Sequence, residues 1–104
     1  MIVVIDDTDN VTLASPNDFR EFHIECHKKR SSSEICEILG QGSKVIDEEH
    51  LWLSAEMVTN LASEKIDGWE NGFNQMLDYA TSKGWTENNR ELIRAHIEWA
   101  RVEK

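Results

Sequence analysis

The sequence predicts an α+β protein: a small single domain, residues 1–104, with a mostly antiparallel sheet packed on one face by two or three helices. Three observations carry that expectation. Two segments, FREFHIECH and RAHIEWA, alternate apolar and polar side chains with period two. Trp69, Phe73, Met76, Leu77 and Ala80 recur instead at the helical interval. The length, 104 residues, suits one core that removes roughly 60–70% of the unfolded surface from water.

The elements follow in order. The opening MIVVIDDTDNVTLAS has a β-branched run, a turn-rich cluster from Asp6 to Asn10, then Val11 and Leu13, the pattern of a β-hairpin. Pro16 breaks the chain. FREFHIECH then places Phe22, Ile24 and Cys26 on one side and Glu21, His23, Glu25 and His27 on the other, so a strand is expected. A helix is the alternative, because Ser15-Pro16 could start one and Phe19, Phe22 and Cys26 also fit a helical stripe.

SSSEICEILGQG is a short helix, with Ser31 and Glu34 at capping-box spacing and Gly40 and Gly42 ending it. GQGSK departs from phosphate-loop spacing and is a helix end and loop. HLWLS is a strand, after which Ser54 caps the helix AEMVTNLASEK. Asp67 and Glu70 are expected to cap WENGFNQMLDYATSKGW, which Gly84 closes. In the last segment a turn or helical start at residues 87–90 precedes a strand, with a helix again as the alternative.

Charge narrows the function classes. Twenty acidic against 11 basic side chains give a formal net charge of −9, which repels phosphate, so neither nucleic acid nor an anionic membrane is an expected partner. The opening lacks a basic region and a long apolar run, so no signal peptide or membrane span is expected. Two cysteines, Cys26 and Cys36, are too few for a disulfide framework and are expected to be reduced thiols of a cytoplasmic protein.

Two motifs merit elimination or weighing. VVIDDTDNVT superficially resembles the first motif of haloacid-dehalogenase phosphatases, but the chain is too short for that core and the later motifs are missing. A phospho-receiver lacks its third-strand aspartate, and a calcium loop lacks its distal glutamate. The cluster is a hairpin turn. His-Ile-Glu occurs twice, at residues 23–25 and 96–98. On strands, His23, Glu25 and His27 would share a face, and His96 and Glu98 could join them if the two strands were neighbours. Two imidazoles and a carboxylate with open positions form a catalytic metal set, so these five residues are the candidate metal site. The competing account is a solvated sheet face, which must be polar for folding alone.

Of four tryptophans, Trp69 belongs to the core stripe and Trp85 to a helix C-cap contact, while Trp52 and Trp99 are candidates for an interface. The leading expectation is a non-catalytic binding or accessory domain, without cofactor, whose partner is another protein or a second copy. The rival is a small metal-binding protein or metal-dependent enzyme. A third reading is an acidic regulator that docks on a basic protein surface.

Overall fold

The computed structural model describes residues 1–40, 42–63 and 65–99; Gln41, Glu64 and residues 100–104, which end the last expected segment, lie outside it. The β-branched run at the start forms β1 (Ile2–Ile5), which pairs antiparallel with β2 (Val11–Ala14) as the expected hairpin. Its turn is organised by one carboxylate. Asp6 Oδ1 accepts from the amides of Thr8 and Asn10 and from the Thr8 hydroxyl, each at 2.9 Å. Asp9 turns the corner with φ 69°, a conformation that aspartate tolerates better than most residues.

Both His-Ile-Glu segments are strands. β3 (His23–Cys26) lies parallel to β1, and β7 (Leu92–Trp99) lies parallel to β3. β4 (Lys44–Asp47) and β5 (His50–Ser54) form a second hairpin, and β5 runs antiparallel to β7. β6 (Thr86–Glu87) pairs antiparallel with the start of β7. The sheet order is β2-β1-β3-β7-β5-β4, with β6 beside β7. Among the described residues it is thus a mixed sheet with seven strands. Parallel pairing of β1, β3 and β7 was not anticipated, because period-two alternation reports which way side chains point and is blind to strand direction.

Three helices complete the fold among the described residues. α1 (Ser32–Leu39) carries the expected capping box: the Ser31 hydroxyl accepts from the Glu34 amide at 3.1 Å, and Glu34 Oε1 accepts from the Ser31 amide at 2.8 Å. Gly40 ends it at φ 57°, ψ −149°, a region that essentially only glycine enters. α2 (Ala55–Leu61) starts on Ser54, as expected; Ser63 and Lys65 of the expected helix lie beyond its end, and Glu64 is outside the described residues. α3 (Trp69–Ser82) buries the five residues of the predicted stripe. Its N-cap corrects the expectation: Gly68, in the left-handed region, holds that position, and no side chain caps the helix. Among the described residues no helix is long and apolar enough to cross a membrane.

Alternate strand residues build the core. Val3, Ile24 and Ile97 are register neighbours, as are Leu51 with Ala95 and Leu53 with Ile93, and all are buried. They join Ile35 of α1, Val58 of α2 and Phe73 of α3 in one cluster, together with the Met1 side chain. Trp69 stacks on Phe73 at 5.0 Å between ring centroids, and its indole N–H donates to the Pro16 carbonyl at 2.7 Å. That bond clips the residue 15–20 loop to α3. Gly72 permits the closeness, since a Cβ there would stand 2.5 Å from the Phe19 ring.

The turn expected at residues 87–90 is the hairpin loop between β6 and β7, whereas β6 itself, with only two residues, carries no sequence signal. Asn88, Asn89 and Arg90 are all left-handed. Asparagine tolerates this; Arg90 is held there by bonds to the Asn74 carbonyl (2.9 Å) and Asp78 carboxylate (2.8 Å) of α3. β4 was missed for a different reason. All its residues are exposed, so the apolar-in, polar-out signature is absent.

Two expectations test this packing. Phe73 is 5% exposed, so Phe73→Ala should cost about 3–5 kcal/mol in a denaturant melt, through lost transfer energy and a cavity. An unchanged midpoint would place the core elsewhere. Hydrogen bonds, the Asn10 amide first and then Thr8, hold the Asp6 carboxyl below its ordinary value. A lowered native value means stability fully present above the ordinary value and lost as pH falls through the lowered one. Carboxyl-resolved NMR should therefore find Asp6 titrating below an unstructured aspartate, and Thr8→Ala should move it back upward.

Candidate functional site

The repeated triplet is aligned in register. His23 pairs with His96, Ile24 with Ile97 and Glu25 with Glu98. Because the period of a strand is two, this match sends both isoleucines into the core and leaves the histidines and glutamates together on the other face. β5 adds a residue that the sequence reading omitted: His50 is the partner of His96 on its far side. His23, His96 and His50 therefore form a row across three strands, with 5.1 Å between the ring centroids of His50 and His96. The missed signal was HLWLS itself, whose alternation puts His50 on the same face as Trp52 once Leu51 and Leu53 are buried.

Each of the chain's four histidines has a carboxylate beside it. His23 Nε2 is 3.7 Å from Glu98 Oε1, and Nδ1 is 3.9 Å from Glu21 Oε1. His96 lies 3.6 Å from Glu49 Oε1 and 3.9 Å from Glu98 Oε2. Two contacts are true hydrogen bonds in length: His27 to Glu25 at 2.8 Å and His50 to Asp47 at 2.9 Å. The Glu49 amide, and then His50, hold the Asp47 carboxyl below its ordinary value.

The five candidate metal ligands thus share a face but divide into pairs. His27 is engaged with Glu25, whereas Glu98 lies between His23 and His96 at distances beyond a direct hydrogen bond. Among the described residues no three His, Cys, Asp or Glu side chains are placed to hold a metal ion. The donor set is present in kind, without a common centre.

Beside the row, Phe22, His50, Trp85, Arg94 and His96 line a concavity of about 240 Å³. Trp85 is held at its rim by an edge-on contact with Tyr79, 6.1 Å between centroids, and is 37% exposed. The expected C-cap role fits its backbone, since the Trp85 amide donates to the Ala80 carbonyl at 2.8 Å. Trp52, half-buried, registers with Arg94 on the same face. Trp99 does not belong here: it is the register partner of buried Cys26, and its indole N–H donates to the Arg30 carbonyl at 2.8 Å. Both cysteines are free among the described residues, and burial pushes the Cys36 thiol up.

These exposures set the expected cost of removing each histidine. His27→Ala and His96→Ala should each change stability by under about 0.5 kcal/mol, and His23→Ala, whose ring is 16% exposed, by about 1 kcal/mol. Zinc, nickel or manganese should leave the melting temperature of the purified protein unchanged. A metal-induced rise abolished by both His23→Ala and His96→Ala would show a shared metal centre instead.

Comparison with protein-family models, curated proteins and solved structures found no match to this chain, so its functional reading rests on this geometry.

Proposed function

We propose that the protein is a small non-catalytic binding domain of the cytoplasm that docks a basic protein partner on the histidine-bearing face of its sheet. In this reading the three helices all lie on the buried side, leaving the opposite face free. The observation that carries it is an aromatic concavity with an acidic surround. Phe22 and Trp85 wall the hollow, while Glu21, Glu25, Asp47, Glu49 and Glu98 stand around the histidine row. The hollow, about 240 Å³, is smaller than the ~300–1,000 Å³ usual for small-molecule sites. It suits one apolar or aromatic anchor of a partner, the arrangement in which a few central residues supply most of the binding energy.

Charge favours a different protein over a second copy. Two chains of net charge −9 meeting through this face would bring their carboxylates together, and like charges across an interface cost several kcal/mol. A partner with lysines or arginines around its anchor would gain from the same groups. Exposed carboxylates of this kind act mainly on association rate and specificity, so the interaction should weaken as salt rises.

The test is capture of a partner by the wild-type protein compared with Trp85→Ala and Glu98→Lys. A basic protein held by the wild type, released by added salt and lost with both variants supports the proposal. A partner retained by both variants overturns it. Sedimentation showing a dimer that the same variants dissociate would overturn it in favour of a second copy.

A further inference from the structure

The hollow beside the histidine row contains a cation with no counterion. Of the four described arginines, Arg20 pairs with Asp18, Arg30 with Asp9 and Arg90 with Asp78. Arg94 lines the hollow, is half-buried, and makes no ion pair or side-chain hydrogen bond among the described residues. The chain has 20 acidic side chains, and several of them stand around this face, yet none is spent on Arg94.

Its position follows from the pairing of β5 with β7. Ile93 and Ala95 are buried, so Arg94 and His96 belong to the outer face, where Arg94 stands beside Trp52 and His96 beside His50. The Arg94 amide donates to the Trp85 carbonyl at 2.9 Å, so the strand that carries the cation also holds one aromatic of the lining; Phe22 is the other. Apolar walls and a planar cation thus occur together in a space of about 240 Å³.

A guanidinium of this kind takes a carboxylate through two parallel hydrogen bonds. An aspartate or glutamate of a partner could supply the carboxylate but would leave the aromatic walls unfilled. The last residue of a chain supplies both an apolar side chain and a carboxylate from one carbon, and capture of such termini is a recurring mode of peptide recognition. The Asp47 carboxylate takes the Nδ1 proton of His50, which leaves Nε2 as an acceptor for a main-chain N–H. Glu21, Glu49 and Glu98 oppose a bare anion, so the residues ahead of the terminus must be basic.

Resting on the docking reading above, we infer that the partner inserts its own carboxyl terminus into this hollow. A terminal aromatic residue lies against Phe22 and Trp85, its α-carboxylate sits on Arg94, and preceding lysines or arginines meet Glu21, Glu49 and Glu98. The probe is the N-acetylated peptide Lys-Lys-Lys-Phe with a free carboxylate, set against the same peptide amidated at its C-terminus. The amide carries one more net positive charge, so general attraction to an acidic protein would favour it. A preference for the acid must come from a local cation.

NMR titration of the full chain should show saturable shifts at the Trp85 indole and the His50 and His96 rings. The acid should bind about tenfold or more tightly than the amide. Arg94→Gln, which removes a side chain with no partner to lose, should leave the protein folded and bring the two peptides to equal affinity. Equal affinity of acid and amide for the wild type, with shifts on this face, overturns the inference and leaves docking on the face standing. Acid preference that survives Arg94→Gln, or no saturable shift on this face with either peptide, also overturns it. N-acetylphenylalanine binding as tightly as the acid peptide would overturn it in favour of a small aromatic carboxylate.

Discussion

One buried arginine holds the carboxyl ends of the three parallel strands. Arg30, 6% exposed, donates to the Asp6 carbonyl just beyond β1 at 2.9 Å and to Cys26 Sγ at the end of β3 at 3.0 Å, and it pairs with the Asp9 carboxylate. Its own carbonyl accepts from Trp99 at the end of β7. A planar, permanently charged group with several donors suits this position in a way lysine would not. The Asp9 end is largely exposed, so water screens that pair, and the uncharged bonds carry more of the constraint. The next residue, Ser31, is the N-cap of α1. The strand ends, the hairpin turn and the first helix therefore meet at one residue, through its side chain at β1 and β3 and its main chain at β7 and α1.

From that anchor the two faces of the sheet acquire different work. Fixing the ends of β1, β3 and β7 fixes their register, and the register determines which residues are neighbours. A slip of one residue between β3 and β7 would turn one isoleucine outward and one histidine into the core. The alignment of the two triplets is thus enforced by burial of Ile24 and Ile97, with no contribution needed from a ligand. A polar face assembled in this way is available for binding without having been shaped by a metal. Carboxylates beside each ring contribute modest cross-strand stabilisation of roughly 0.2–1 kcal/mol per pair.

The legible part of the fold was the part with a period. Val3 with Ile5, Ile24 with Cys26, and the α3 stripe all carry their burial in their spacing. The capping box at Ser31 and the cap at Ser54 were readable because short polar side chains have few other reasons to precede an apolar run. β4, with no buried residue, and β6, with two residues, lack any periodic signal. At Gly68 the helix starts through backbone conformation, which the neighbouring Asp67 obscured. The candidate histidines were found from a repeated triplet and its spacing, but their neighbours could not be. Strand order and direction are properties of distant segments, and the place of His50 beside His96 follows only from β5 pairing with β7. The role of Arg30 was hidden for the same reason, since Asp6, Asp9 and Trp99 reach it from far along the chain.

The strand order has a consequence for the sequence of events in synthesis. β7 stands between β3 and β5, so it joins β2-β1-β3 to β5-β4. It is also made after every other described element. Until it emerges, each group of strands has an open hydrogen-bonding edge and half of an incomplete core. Folding must therefore wait for pairings between widely separated residues, which is slow compared with local helix formation. During that interval the waiting edges of β3 and β5 are the places where a growing chain could pair with the wrong neighbour. The strand that completes the sheet is also the one that closes those edges.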